Sequence, residues 1–105
     1  MHMSVINITA ENFEELVINA PNKVLLDFWA PWCGPCQMVG PVVEEIAQDR
    51  EDITVGKINV DDEVQLAIQF GVSSIPTLIV MEKGQKVAQA LGFRPKEDIL
   101  KLLGE

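Results

Sequence analysis

The sequence predicts an α/β fold: a five-stranded mixed β-sheet flanked by four α-helices. Three observations predict it. Segments that read as strands, among them apolar runs of strand length, alternate with segments of helical period along the chain. The last two strands are separated only by Glu82-Lys83-Gly84-Gln85, a hairpin-length connection. The 105 residues contain no repeat, low-complexity tract or linker, so 1–105 reads as a single domain.

Val5–Thr9 reads as the first strand. Ala10–Ile18 reads as a helix, with Phe13, Leu16 and Val17 on one face and Thr9 as its N-cap. Ala20-Pro21-Asn22 ends it. Lys23–Trp29 is an apolar run of strand length interrupted by one acid, Asp27. From Gly34 the period changes. Val39, Val42, Val43, Ile46 and Ala47 follow the spacing of an amphipathic helix. Pro41 inside that helix removes a backbone bond and predicts a kink. Gly40 beside it costs about 1 kcal/mol relative to Ala. Ile53–Val60 is the next strand. Glu63–Phe70 is a short helix with Val64, Ala67 and Ile68 inward, stopped by Gly71. Thr77–Met81 and Lys86–Leu91 are the hairpin strands. Lys96–Leu103 closes the chain as a helix with Ile99, Leu102 and Leu103 facing in. The βαβ portion requires parallel pairing and the hairpin adds an antiparallel edge, hence a mixed sheet with helices on both faces.

Composition narrows the function. Hydrophobic residues are 48% and charged residues 23%, as in globular domains generally. The net charge of −8 repels phosphate backbones and anionic surfaces, so neither nucleic-acid nor membrane binding is expected. Two cysteines exclude a multi-bridge secreted scaffold and cannot alone complete a four-ligand zinc site. The one histidine, His2, lies in Met1-His2-Met3, which reads as a cloning remnant. Acid–base chemistry then falls to Asp, Glu, Cys or Lys, since Tyr is absent. No secretory segment is visible, and the expected location is cytoplasmic.

Cys33-Gly34-Pro35-Cys36 is the strongest local signal. Residues three apart meet on one face of a helical turn, so a small adjustment brings the sulfurs within bonding range. Pro35 suits a first helical turn. Cys33 then sits where free N–H groups and the helix dipole favour thiolate over thiol, and the thiolate is the form that attacks a disulfide. A loop this short gains roughly 2 kcal/mol from closure, so the bridge is easily made and broken. The competing reading is a static disulfide or two unrelated thiols. Asp27 sits in a strand expected to be buried on both faces, where its pKa would rise and suit proton exchange with a thiol. A solvent-facing edge position is the alternative. Lys57, in the next strand, is its nearest counter-charge, or else an ordinary exposed lysine. Ile75-Pro76-Thr77 opens an apolar strand with proline.

Asp27-Phe28-Trp29-Ala30-Pro31-Trp32-Cys33-Gly34-Pro35-Cys36 resembles the active-site segment of the thioredoxin family. Pro41, Lys57, Asn59-Val60-Asp61, Ile75-Pro76-Thr77, Gly84 and Gly92 follow in the family's order, so the resemblance spans Val5–Leu103. It implies the thioredoxin fold, with five strands and four helices. It implies Cys33 as nucleophile and Cys36 as resolving thiol. Asp27 would be the buried base assisting Cys36, with Lys57 beside it. Pro76 would be cis and stacked against the cysteines. Ile75 would offer its backbone to an extended substrate strand. Trp32, Gly34, Pro35, Ile75, Gly92 and Phe93 would form an apolar docking patch. Trp29 would pack under the active-site loop, and Pro41 would support the site from the helix. Gln37, Ser74 and Phe93 depart from the family's commoner Lys, Gly and Ala, which bears on partner preference and potential.

The expected activity is protein-disulfide reduction by a monomer that cycles between dithiol and disulfide. A flavin-dependent, NADPH-fed thioredoxin reductase would be its electron source, and disulfide-containing proteins its targets. No dinucleotide fingerprint is present, so no cofactor or metal is expected. Three rivals stand beside this reading: an oxidase or isomerase of an oxidising compartment, a peptide-binding holdase using the same patch, and a metal or iron–sulfur site shared between chains. Glu44-Glu45 and Asp49-Arg50-Glu51-Asp52 read as a solvated face and loop.

Overall fold

The structure is a computed structural model and describes residues 5–105. The Met1-His2-Met3 reading lies outside the described residues. The elements in chain order are β1 (Ile6–Asn7), α1 (Glu14–Ile18), β2 (Val24–Trp29), α2 (Gly34–Asp49), β3 (Thr54–Asn59), α3 (Val64–Gln69), β4 (Thr77–Glu82), β5 (Gln85–Leu91) and α4 (Lys96–Leu102). The five strands lie in the order β1-β3-β2-β4-β5. β3 runs parallel to both β1 and β2, while β4 runs antiparallel to β2 and β5.

β2 is the central strand, and its alternation distributes the core. Leu25 points to the face covered by α2 and α4, where it joins Val39, Val43, Ile46, Leu78 and Ile99. Val24, Leu26 and Phe28 point to the other face, among Phe13, Val17, Ile58, Leu66 and Ile79. Each fully buried Leu, Ile or Phe contributes about 1.5–3 kcal/mol by leaving water. Strand periodicity therefore puts Asp27 and Trp29 on the α2 side with Leu25.

Two helices differ from expectation. α1 is π-wound and shorter than Ala10–Ile18, because the Asn19 N–H reaches the Glu14 carbonyl five residues back. Thr9 does not cap it. The Asn12 carboxamide instead accepts the Thr9 N–H at 2.8 Å, and the chain turns there before any helix begins. In α3, Val64 and Ile68 point outward (53% and 66% exposed), and Leu66 is the buried residue. Leu66 and Phe70 form the competing stripe. Phe70 lies edge-on to Phe13 at 5.7 Å and 5.4 Å from Phe28, and those aromatic contacts decide which face docks.

The hairpin turns through Lys83 and Gly84, both with positive φ (53° and 78°), the geometry that matches strand twist in a two-residue connection. Gly84 adopts it without steric cost.

Candidate active site

β2 ends at Trp29 and hands the chain to a short loop that starts α2. The Cys33 N–H donates to the Ala30 carbonyl at 3.2 Å, and the Gln37 carboxamide donates to the Pro31 carbonyl at 2.9 Å. These bonds fix the loop against the helix it precedes. Cys33 is the N-cap of α2, with extended backbone angles, and Pro35 lies in the first turn. Its Sγ accepts the Cys36 N–H at 3.2 Å, so one of the orphan donors of the helix terminus points at this sulfur. Cys33 and Cys36 are joined as a disulfide with their Cα atoms 5.2 Å apart.

Both cysteines are nearly covered (5% and 4% exposed) and pack with Ala30, Trp29, Val60 and Ile75. Around them the surface is open. Gly34 and Pro35 are exposed, and Trp32 is 70% exposed. The Trp32 indole N–H donates to Asp61 at 3.0 Å, and the Asp61 N–H donates to the Asn59 side chain. Across the pair, the Ile75 carbonyl oxygen lies 3.7 Å from Cys33 Sγ. The Ile75–Pro76 peptide is cis. The Pro76 carbonyl accepts the Gly92 N–H at 2.8 Å, which draws the end of β5 to the same rim. Phe93 follows there, 42% exposed. Ser74 supplies its carbonyl to the Thr77 hydroxyl at 2.6 Å, a bond indifferent to its side chain.

Beneath the cysteines lies a cleft of about 220 Å³ between α2 and the sheet, bordered by Cys36, Pro41, Asp27, Trp29 and Lys57. Asp27 is buried, and its Oδ1 has no hydrogen-bond partner. Burial raises its pKa from 3.8 to about 7, while Lys57 pulls the other way. Lys57 places its ammonium 5.2 Å from the Trp29 ring centroid, a cation–π contact. Gly40 and Glu44 border the same cleft. Glu44 was expected on a solvated face, yet it is only half-exposed, whereas Glu45 is exposed and pairs with Lys96 at 2.8 Å. Spacing would have found Glu44, since Cys36, Gly40 and Glu44 fall on one helical row. Asp61 was equally missed as the partner of Trp32.

The sequence-predicted residues thus fall into two groups that meet at Cys36. Cys33, Trp32, Gly34, Pro35, Ile75, Pro76, Gly92 and Phe93 belong to the rim, and Asp27, Lys57, Trp29 and Pro41 to the cleft below. Among the described residues, no group of three or more His, Cys, Asp or Glu could hold a metal ion. No helix among them is long and apolar enough to cross a membrane.

Comparison with known proteins agrees with this geometry. The family model described as Thioredoxin matches residues 4–105. The chain is 47% identical over 104 residues to a protein named Thioredoxin from Pyropia yezoensis, covering 98% of this chain and 97% of that one. It is 48% identical over 97 residues to Thioredoxin 1 of Nostoc sp., covering 91% of each. With Thioredoxin of Haemophilus influenzae it shares 43% over 102 residues, or 96% of this chain and 95% of the other. A two-cysteine turn at a helix N-terminus, set in this sheet and matched along nearly its whole length, has one reading: the chain belongs to the thioredoxin family and is a thiol–disulfide oxidoreductase.

Proposed function

We propose that the chain works as a general protein-disulfide reductant, with a division of labour between its two sulfurs. The Cys33 thiolate attacks one sulfur of a target disulfide. A Cys33–target disulfide forms, and the second target sulfur leaves as a thiolate. Cys36 gives its proton to Asp27 and attacks Cys33 Sγ. The mixed disulfide breaks, and the target departs with the two electrons that the Cys pair has lost. The observation that carries this reading is the Cys33 sulfur at the N-cap of α2, held by the Cys36 N–H and flanked by the Ile75 carbonyl.

Asp27 is suited to the proton step because its pKa of about 7 lets it both accept and release a proton near neutrality. Lys57 keeps that value from rising further. The Ile75 N–H has no backbone partner among the described residues, which leaves it available to an extended target segment. Cis-Pro76 shapes that stretch, and Trp32, Gly34, Pro35, Gly92 and Phe93 supply the apolar rim around it. Trp29 and Pro41 support the site from below.

The direction of transfer follows from charge. Strong oxidants of this chemistry owe their potential to heavy stabilisation of the reduced thiolate. Gly34-Pro35 and Gln37 add no cation here, so the dithiol form is the better electron donor. A flavin-dependent, NADPH-fed reductase would return the electrons, in the cytoplasm and to a monomer. Insulin disulfide reduction with dithiothreitol tests the activity. The wild type is expected to accelerate it and Cys33→Ser to abolish the acceleration. Equilibration with a glutathione buffer tests direction, and a potential clearly above the glutathione couple would overturn the reductant assignment.

A further inference from the structure

Gly40 lies in the interior of α2, where glycine weakens a helix. The usual reasons for glycine do not apply to it. Its φ is not positive, and a Cβ built there would meet nothing within 4 Å. What it borders is the cleft, which also takes in Cys36 and Glu44 from α2, with Asp27 and Lys57 contributed by the sheet. Cys36, Gly40 and Glu44 are four residues apart in succession, so they form one row along the helix. The row runs from the resolving sulfur to a half-exposed carboxylate about 12 Å further along the axis. On that row only Gly40 stands between them and it carries no side chain, while Gln37, Pro41 and Val43 line the cleft to either side.

We infer that Gly40 holds open a solvent passage from Cys36 and Asp27 to the Glu44 carboxylate, and that the proton Cys36 yields to Asp27 leaves for bulk water along it. The inference rests on the proposed role of Asp27 and adds the route by which that group is reset. A cleft of about 220 Å³ that holds carboxyl and ammonium groups has the room and the polar partners for several waters. Asp27 Oδ1, buried without a protein partner, faces that need directly. The ionisable groups around Asp27 are Lys57 from β3 and Cys36 and Glu44 from α2. Lys57 favours the carboxylate. Glu44 stands at the far end of the row, where the cleft meets solvent. Per turnover the balance is simple: one proton passes from the Cys36 thiol to the Asp27 carboxylate and then to water, and the passage residues end unchanged.

The test uses the reduced full-length protein and a target disulfide, with two rates measured from about pH 5 to 9: mixed-disulfide formation and target release. The Asp27 carboxyl midpoint is followed by carbon NMR. Gly40→Leu fills the passage. It is expected to slow target release several-fold and move the Asp27 midpoint up, with mixed-disulfide formation at the wild-type rate. Glu44→Gln, isosteric and expected to fold normally, should slow release. Glu45→Gln removes the same charge from the neighbouring position outside the cleft and should match wild type. Wild-type release and midpoint in Gly40→Leu would overturn the passage, as would Glu44→Gln and Glu45→Gln behaving alike. Asp27→Asn separates the two levels. If it slows release while Gly40→Leu and Glu44→Gln do not, the passage alone fails. If Asp27→Asn itself leaves release unchanged, the proton role of Asp27 fails with it.

Discussion

Asp27 and Lys57 are register partners on adjacent parallel strands, yet no ion pair within 4 Å joins them among the described residues. Lys57 leans over Trp29 instead. Its attraction therefore reaches Asp27 through space and does not offset the cost of taking the carboxyl out of water. That imbalance holds Asp27 at about 7 rather than at 3.8. Asp27 is therefore carried at a cost to folding, and under the proposed mechanism its proton is useful at neutral pH.

The cost should be visible as pH-dependent stability. With a raised folded-state pKa, the unfolded chain loses the Asp27 proton first as pH rises. Stability from this group is fully present below about pH 4, falls through the window from 3.8 to about 7, and is flat above it. The shift corresponds to roughly 4 kcal/mol across that window. Asp27→Asn should therefore match wild type near pH 4 and be more stable by a few kcal/mol at pH 8. Urea titrations of the oxidised protein at the two pH values check this, and equal stability at pH 8 would count against a buried, raised carboxyl.

Replacing Lys57 should act in the opposite sense to relieving burial. Lys57→Met removes the through-space attraction and moves the Asp27 midpoint above about 7. The pH profile of target release should move to higher pH with it. A profile that stays in place would show that Lys57 does not act on Asp27.

How far the sequence disclosed this site depends on the residue. Asp27 was legible as a lone acid inside Val24–Trp29, with a solvent-facing edge as the alternative, and the central place of β2 decides for burial. The cysteine turn was legible because a three-residue spacing with proline specifies a helix start. Val64 and Ile68 misled because a six-residue helix carries two apolar stripes of similar period. The aromatic contacts of Phe70, made across the fold, choose between them. The π-wound α1 depends on a backbone bond that no side-chain pattern encodes. Glu44 was hidden by its neighbour, since adjacent glutamates on a helix look like one solvated face while pointing about 100° apart.

The two cysteines should differ in what they trap. Cys36→Ser leaves the attacking sulfur without its resolving partner, so it should accumulate target-linked species on non-reducing gels. Cys33→Ser should accumulate none. Equal trapping by both variants would mean that the assigned order of attack is wrong.

Gly56 offers a check on the sheet that carries Lys57. It pairs with Ile6 on β1 and Leu26 on β2, and it is buried. A Cβ there would lie 2.5 Å from Ile8 Cγ1 and 3.1 Å from Cδ1, with the Ile6 carbonyl at 3.5 Å. Ile8 is fully buried and has little room to withdraw. Gly56→Ala should therefore destabilise the protein by about 1–3 kcal/mol through overpacking, measured as a lower urea midpoint. Ile8→Ala deletes the clashing atoms and should destabilise on its own by leaving a cavity. Combined, the two substitutions should cost less than their sum, because the new methyl occupies part of the space that Ile8 vacates. Strict additivity in that double-mutant cycle would show that Ile8 and Gly56 do not meet across the sheet as the structure places them.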